Sequence, residues 1–592
     1  MKPFLHSARL IVIAVGLALP AGSHASIILS GPTFTPATNA PLAGVLQLTT
    51  DDYTRVSVTV DDGTDAWTHR FYDYGTAHSL PLLGFKPGRT NQITVTVWDR
   101  QRNQFTAGQP LTFVTGPLPG NFPDIALLQS DPERMEPGYT LFRAGMNGNL
   151  IWYVVIVDSS GEVVWYDHAP STADVRQLDN GDLFMPWNTN FFEINLLGEI
   201  VNSWVVPTNL PINLHDGVPT SHGTILYLSD STEIISNYPT SVTNRSAPLA
   251  TTNLSYQNVV EISATNASVL HTWTPFNALD PYRISYLVAS VRGVWDSEHS
   301  NAVIEDPSDD SLIVSMRHQN AVIKFSRATG QLRWILGPPA NWGPAWQPYL
   351  LTPVGAPFFW QYGQHSPILT PQGTLILYDD GNYRASPFDP PVPDMNNYSR
   401  AVEYRIDQET MTVSQVWDYG RTNVANQLYT GYEGNAEPLP KTGNVLIDFS
   451  AVSYIDGDPP SAYGPNATMT RITEVTHDAL PQTVFDLAIS LYDNNKTTYK
   501  DVNVYRSHRI MDLYPHPALP VADLSVTYTN GAPYLEFSAD NARTYRVQAS
   551  SDLVVWETIG AASENELDSG DFSFQDNQAS GLPARYYRVV TK

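Results

Sequence analysis

Four segments of this chain align on a single glycine, and that internal repeat limits the fold more than any other feature. "ADVRQLDNGDLFM" from Ala173, "HDGVPTSHGTILYL" from His215, "HSPILTPQGTLILY" from His365 and "NAEPLPKTGNVLI" from Asn435 each run eight residues from the first position to the turn glycine. A further copy, "HSNAVIEDPSDDSLIVS" from His299, has a turn about three residues longer. A position that recurs at fixed spacing occupies an equivalent place in each structural unit. Later strands of the units end on tryptophan, at Trp204, Trp273, Trp334 and Trp417. Units of about 40 to 85 residues, each with a few strands and no helical periodicity, predict a β-propeller, in which four-stranded sheets surround a central channel.

A sixth unit is assembled from "LIWYVVIVDSSGEVVWYD" near residues 150 to 167 and a closing strand such as "VYRSHRI" near residue 505. Closing the ring with chain from both sides removes free sheet edges. The innermost strand of each unit lines the channel, so the shared first position gathers His215, His299 and His365 round one mouth.

The expected architecture is therefore all-β: a six-bladed propeller over residues 119–516, flanked by two smaller modules. Alternating runs such as "RVSVTV" and "NQITVTVW" over residues 26–118 predict a β-sandwich, joined to the propeller by the linker "TGPLPGNFPD". A proline-rich junction, "YPHPALPVADL", leads to a sandwich-like module at 520–592 containing "YLEFSA", "YRVQASS", "VVWETIG" and "RYYRVV". Residues 1–25 have a basic start, an apolar run from Leu10 to Pro20 and the small-residue ending Ser23-His24-Ala25, as in a cleavable signal peptide. A periplasmic or secreted protein is expected, with no membrane span, since no later apolar run reaches the roughly 20 residues a span needs.

The chain has no cysteine, which rules out thiolate metal sites, catalytic thiols and disulfides, so stability comes from core burial. A formal net charge of −26 argues against nucleic acid as partner. Any anionic substrate must then be held by a local positive cluster against the field of the whole molecule. Such a cluster is in sight. Asp296 and Glu298 stand beside His299, Asn301 follows, and Arg317 is expected on the next strand of the same unit, after the core-like run "SLIVSM". Imidazoles, a guanidinium and a carboxamide together are compatible with three chemistries: a zinc site on His215, His299 and His365; a non-catalytic pocket for an anionic ligand or partner protein; or a nucleophilic histidine whose neighbours neutralise a transferred anionic group.

The segment from about Asp124 to Pro515 resembles the bacterial arylsulfate sulfotransferases, an exported family that does not use the nucleotide sulfate donor. "WDSEHSN", "IVSMRHQNAVIKFSRATGQLRWILGP", "QHSPILTPQGTLILYDDGNYR" and "SRAVEYRID" carry the resemblance. It implies a six-bladed propeller and a ping-pong reaction, in which an aryl sulfate gives its sulfuryl group to a histidine and a phenol then removes it. On the matching positions His365 is the implied nucleophile, and His299, Asn301 and Arg317 contact the sulfuryl oxygens. His215 completes the pocket, and Thr430, in "LYTGYEGN", is a further substrate contact. The partners implied are small aryl sulfates and phenols, with no metal and no cofactor; a homodimer stays open. Trp360 and Tyr362 are candidates for stacking on the aryl ring. The C-terminal module lies outside the resemblance, and the lack of cysteine departs from relatives that carry a disulfide.

Overall fold

The computed structural model describes residues 28–591 except 101–102, 146–151, 170–173, 188, 292, 422–426, 456–457, 459–467, 493–498, 501, 515–520, 530, 540–544, 552, 554, 566–569 and 580–584. The expected leader at 1–25, Ala173 and most of the "YPHPALPVADL" junction lie outside the described residues. The chain is β throughout, and among the described residues its only helical pieces are four short 3-10 turns. No helix there is long and apolar enough to cross a membrane.

Between Asp124 and Ile510 the described strands form six sheets, antiparallel except for one parallel pair in the third and one in the fifth. The second sheet meanders outward from Arg176–Gln177, the third from Gly217–Pro219, the fourth from Ser300–Asp306, the fifth from His365–Leu369 and the sixth from Asn435–Pro438. In the first sheet the equivalent strand, Asn503–Ile510, comes from the far end of the segment and pairs with Tyr139–Gly145. The last sheet takes its outermost strand, Asp124–Ser130, from the near end, against Thr483–Tyr492. The leading strands of the third, fourth, fifth, sixth and first sheets touch one another in that order.

The repeat seen in the sequence is reproduced down to single bonds. Gly181, Gly223, Gly373 and Gly443 all have positive φ, between 71° and 88°. Gly223, Gly373 and Gly443 have open space where a Cβ would stand, so backbone conformation and not crowding selects glycine there. Beside two of these turns the same hydroxyl pair recurs, Thr220 with Thr224 and Thr370 with Thr374, and the second threonine of each pair donates to a glutamate, Glu261 or Glu403.

The tryptophans stitch each sheet to its successor. Trp165 donates its indole N–H to the Leu196 carbonyl, Trp204 to Ala264, Trp273 to Arg327 and Trp417 to Asp478, while Trp334 donates to the Gln408 side chain. Between the sheets lie apolar layers with the period of a strand. Leu312 and Val314 pack with Leu226 and Val259 of the third sheet, whereas Ile313 packs with Leu375 and Val402 of the fifth. A strand buried on both faces reads as a continuous apolar run, which is why "SLIVSM" looks like core.

Ahead of these sheets, six strands join into one connected sheet through the long strand Gly44–Asp61. Its first half pairs with Ile28–Pro36 and its second half with Thr90–Asp99. The C-terminal strands form two sheets over a small core of Phe537, Tyr545 and Phe572. A two-bond pair from Arg55 to Asp571, at 2.9 and 2.7 Å, fastens the C-terminal strands to the N-terminal sheet.

Candidate active site

The repeated first position does converge. His365 and Asn435 open their strands, His299 immediately precedes Ser300 with φ at +48°, and His215 lies in the turn before Gly217. The His215 and His299 rings meet edge to face with centroids 4.5 Å apart, and His299 stacks on His318 at 4.5 Å. Tyr505, on the closing strand, reaches both sides of the cluster, with its ring 6.1 Å from His215 and 6.4 Å from His365.

Arg317 is not on a strand, as the apolar run before it suggests, but opens a 3-10 turn, Arg317–Gln319. The strand ends at Met316 because the chain must reverse, and Asn320 closes the turn in the left-handed region. Backbone N–H groups of Arg317 and His318 still bond to the carbonyls of His299 and Glu298, so the guanidinium is carried directly beside the His299 strand. Nη2 donates to the Gly431 carbonyl at 2.9 Å and Nη1 to His318 Nε2 at 3.0 Å.

Two of the three imidazoles at the shared position have Nδ1 hydrogen-bonded to a neighbouring side chain. His299 Nδ1 meets Asp296 Oδ2 at 2.6 Å, and His215 Nδ1 meets the Asn213 side-chain oxygen. His365 Nδ1 lies 2.9 Å from Asp380 Oδ2. Among the described residues, His215 and His299 are thereby left with Nε2 free of a protein partner, while His365 Nδ1 faces Asp380 without an aligned hydrogen bond.

Burial is the first cause of the site's electrostatics. It holds the His365 imidazolium well below the ordinary histidine range, and Arg317, His299, His215 and Arg506 push it down further. His215 is lowered for the same reasons, burial first and then the His299 charge. His318 falls to about 3 through burial, His299 and Arg317. Burial raises Glu298 to about 8, and it raises the Asp380 carboxyl well above the carboxylate range despite Arg317. Burial works against ionisation of Asp296 too, but the bond to His299 together with the attraction of His299, His318 and His215 outweighs it and leaves the carboxyl lowered.

Asn301 is fully buried and donates to the Gln364 carbonyl, 2.9 Å away, so it secures the peptide that precedes His365. Thr430 is buried, with its hydroxyl engaged by Tyr378 at 2.8 Å and Ser399 at 3.1 Å. Trp360 packs edge to face on Phe358 beside the core between the fourth and fifth sheets, and half-buried Tyr362 bonds through its backbone to Asp379. Among the described residues, the three ligand-bearing groups that cluster tightly enough to hold a metal are Asp296, His299 and His318, not the triad of His215, His299 and His365. In that cluster His318 has both nitrogens engaged, one by the Arg317 guanidinium, which is a poor arrangement for a cation ligand.

Sequence reasoning passed over Arg506. Buried and held in the charged state by Asp216 and Asp174, it bonds to both, to Ser366 Oγ and to the Asn301 carbonyl. The signal was there: an arginine midway along a strand that returns from the far end of the segment to pair with Tyr139–Gly145 is packed among other sheets. Asp380 and His318 were also in plain view inside "YDDGNYR" and "SMRHQN" but carried no pattern of their own.

A cavity of about 1130 Å³ opens at the opposite ends of the leading strands, among the turn residues Thr370 and Gly373 and the strand residues Glu437 and His508. A cavity of about 40 Å³ lined by Arg506, Asp216 and Ser366 lies between these residues and the imidazole end. The charged groups lining the larger cavity are held in local pairs, His508 with Glu437, Arg176 with Asp174 and Asp216, and Arg509 with Glu474, whereas those of the imidazole cluster converge on His365.

Residues 106–500 match the family model described as arylsulfotransferase (ASST), and residues 33–112 match that of the arylsulfotransferase Ig-like domain. The chain is similar to the curated arylsulfate sulfotransferase AssT of Escherichia coli O6:H1, with 24% identity over 69% of this chain and 82% of that one. It is similar to the protein of the same name from Lelliottia amnigena, with 23% identity over the same shares. Solved structures with some likeness include a putative 6-phosphogluconolactonase from Bacteroides uniformis, at 11% identity and a TM-score of 0.30 over 78% of this chain and 100% of that one, a score that carries no argument.

Proposed function

Because this chain belongs to the arylsulfotransferase (ASST) family, we propose that it moves a sulfuryl group from an aryl sulfate to a phenol in two half-reactions, with His365 carrying the group between them. The six sheets are read as the blades of one propeller at 119–516, between an N-terminal sandwich at 26–118 and a C-terminal module at 520–592, with the exported protein acting in the periplasm or outside the cell.

The observation that carries this reading is the convergence on His365 of Arg317, His299 and His215 from neighbouring sheets, with His365 kept in the neutral form that attacks. Sulfuryl transfer, like phosphoryl transfer, passes through a loose transition state, so the protein acts by positioning the reactants and by stabilising charge on oxygen. Arg317 presents a planar fork of donors to the nonbridging oxygens at any pH. Asp296 holds His299 with Nε2 towards the site, where a proton on that nitrogen can pass to the departing phenolate oxygen. His215, neutral in the free protein, gains affinity for a proton once an anionic group lies against it. Phenol then enters where phenolate left, and the second half-reaction retraces the first.

The experiment mixes protein with 4-nitrophenyl sulfate, with and without a phenol, and follows nitrophenolate. Turnover that depends on acceptor and disappears in His365→Asn supports the reading. Normal turnover in that variant refutes the nucleophile, and binding without any turnover favours a non-catalytic anion pocket.

A further inference from the structure

Asp379 and Asp380 are adjacent and both fully buried, yet they have opposite surroundings. Asp379 is saturated: it accepts from the Tyr362 backbone N–H at 2.9 Å, from Arg384 at 3.1 Å and from Arg400 at 2.7 Å. Asp380 Oδ2 lies 2.9 Å from His365 Nδ1 and 3.7 Å from Arg317 Nε, and neither approach is aligned as a hydrogen bond. His365 Nδ1, both Asp380 oxygens and Arg317 Nε find no other aligned partner among the described protein groups. Buried polar atoms without partners are costly, and here three such groups face one another, so a small rotation of ring or carboxylate satisfies them mutually.

We propose that Asp380 is the positioning residue of the nucleophile: its carboxylate accepts the His365 Nδ1 proton, which fixes Nε2 as the nitrogen that takes the sulfuryl group. The inference rests on the reading of His365 as nucleophile. In the first half-reaction the S–O bond to the aryl oxygen breaks, its electron pair leaves on the phenolate, and the Nε2 lone pair forms the S–N bond. The ring is then an imidazolium, and its Nδ1 proton moves onto the Asp380 carboxylate, leaving a neutral ring that bears the sulfuryl group. In the return step Asp380 hands the proton back, which restores a cationic ring and a better leaving group for attack by the phenol oxygen.

Burial suits this exchange, since it disfavours charge on both partners: it lowers the imidazolium of His365 and raises the carboxyl of Asp380, bringing their proton affinities together. The charged groups that act on Asp380 are Arg317, Asp379 and Glu433, and only Arg317 favours the carboxylate.

Two measurements on the full chain test the proposal. In the wild-type protein labelled with ¹⁵N-histidine, the His365 signals should be those of a ring protonated at Nδ1; a ring protonated at Nε2 overturns it. In Asp380→Asn and Asp380→Ala the rate of nitrophenolate release in a single turnover of 4-nitrophenyl sulfate should fall at least about a hundredfold, with KM moved less than about threefold. An unchanged single-turnover rate overturns the proposal, and where a variant does not fold the tautomer in the wild type decides. The parent reading fails separately, when the wild type acquires no sulfuryl group on His365.

Discussion

The side-chain amide of Asn301 donates to the carbonyl of Gln364 across the boundary between the fourth and fifth sheets, at 2.9 Å. Both residues are fully buried, so this bond sets where the chain enters His365. Replacing Asn301 with Ala leaves that carbonyl with only the longer bond from Ser315 Oγ, at 3.2 Å, and frees His365 to shift. The expected result is a fall in kcat of about tenfold to a hundredfold, because small displacements of a reacting group carry that cost. Steady-state kinetics of Asn301→Ala against 4-nitrophenyl sulfate measure it, and an unaltered kcat contradicts the positioning role.

The acid side of the pH profile is a second test. His365 has its affinity for a proton lowered well below the usual value, first by burial and then by Arg317 and the neighbouring imidazoles, so the neutral, attacking form persists as pH falls through 6.5. The donor's kcat/KM should therefore show no His365 titration near the ordinary histidine value. Replacing Arg317 with Met removes one of the groups that depress it and should shift the acid limb upward in pH, in addition to slowing turnover.

His508 predicts the opposite behaviour, in stability. Asp174 at 2.8 Å and Glu437 at 3.2 Å hold its ring, and against burial they raise it from 6.5 to about 9. A group whose folded pKa is raised contributes stability that is complete below the unfolded value and is lost as pH rises through the folded one. Tm should be level below about 6.5, decline between there and about 9, and level again above, with an effect on the order of a few kcal/mol. The slope in that window should flatten in His508→Gln. Asp174 lies just ahead of the second sheet, Glu437 is in the sixth and His508 in the first, so the same titration reports on how these sheets are held together.

Arg506 carries a larger structural share. It neutralises Asp174 and Asp216, at 3.0 and 2.8 Å, and removing it strands buried carboxylates that Arg176 only partly compensates. Arg506→Met should destabilise by about 3–5 kcal/mol. Denaturant unfolding measures this, and a change below about 1 kcal/mol contradicts the assignment.

Much of this arrangement was legible before any coordinates. Eight-residue spacing to a glycine is a backbone requirement, and Gly223, Gly373 and Gly443 meet it at positive φ with nothing crowding them. The strand-end tryptophans were equally readable, since an indole needs a partner for its N–H and found one in the next sheet each time. Less could be said of Arg317, because the residue after an apolar strand can continue it or turn, and the Asn320 cap that decides is a single residue with no period. Asp380 was hidden for another reason. Two adjacent aspartates in "YDDGNYR" look alike in sequence, and only the packing gives one to Arg384 and Arg400 and the other to His365.

The most direct measurement is a peptide map made under alkaline quench after mixing the protein with an aryl sulfate and no acceptor. The account predicts one sulfuryl group, on the peptide containing His365, which disappears when a phenol is added. A sulfuryl group on His299 or His215, or turnover with no modified histidine at all, contradicts it.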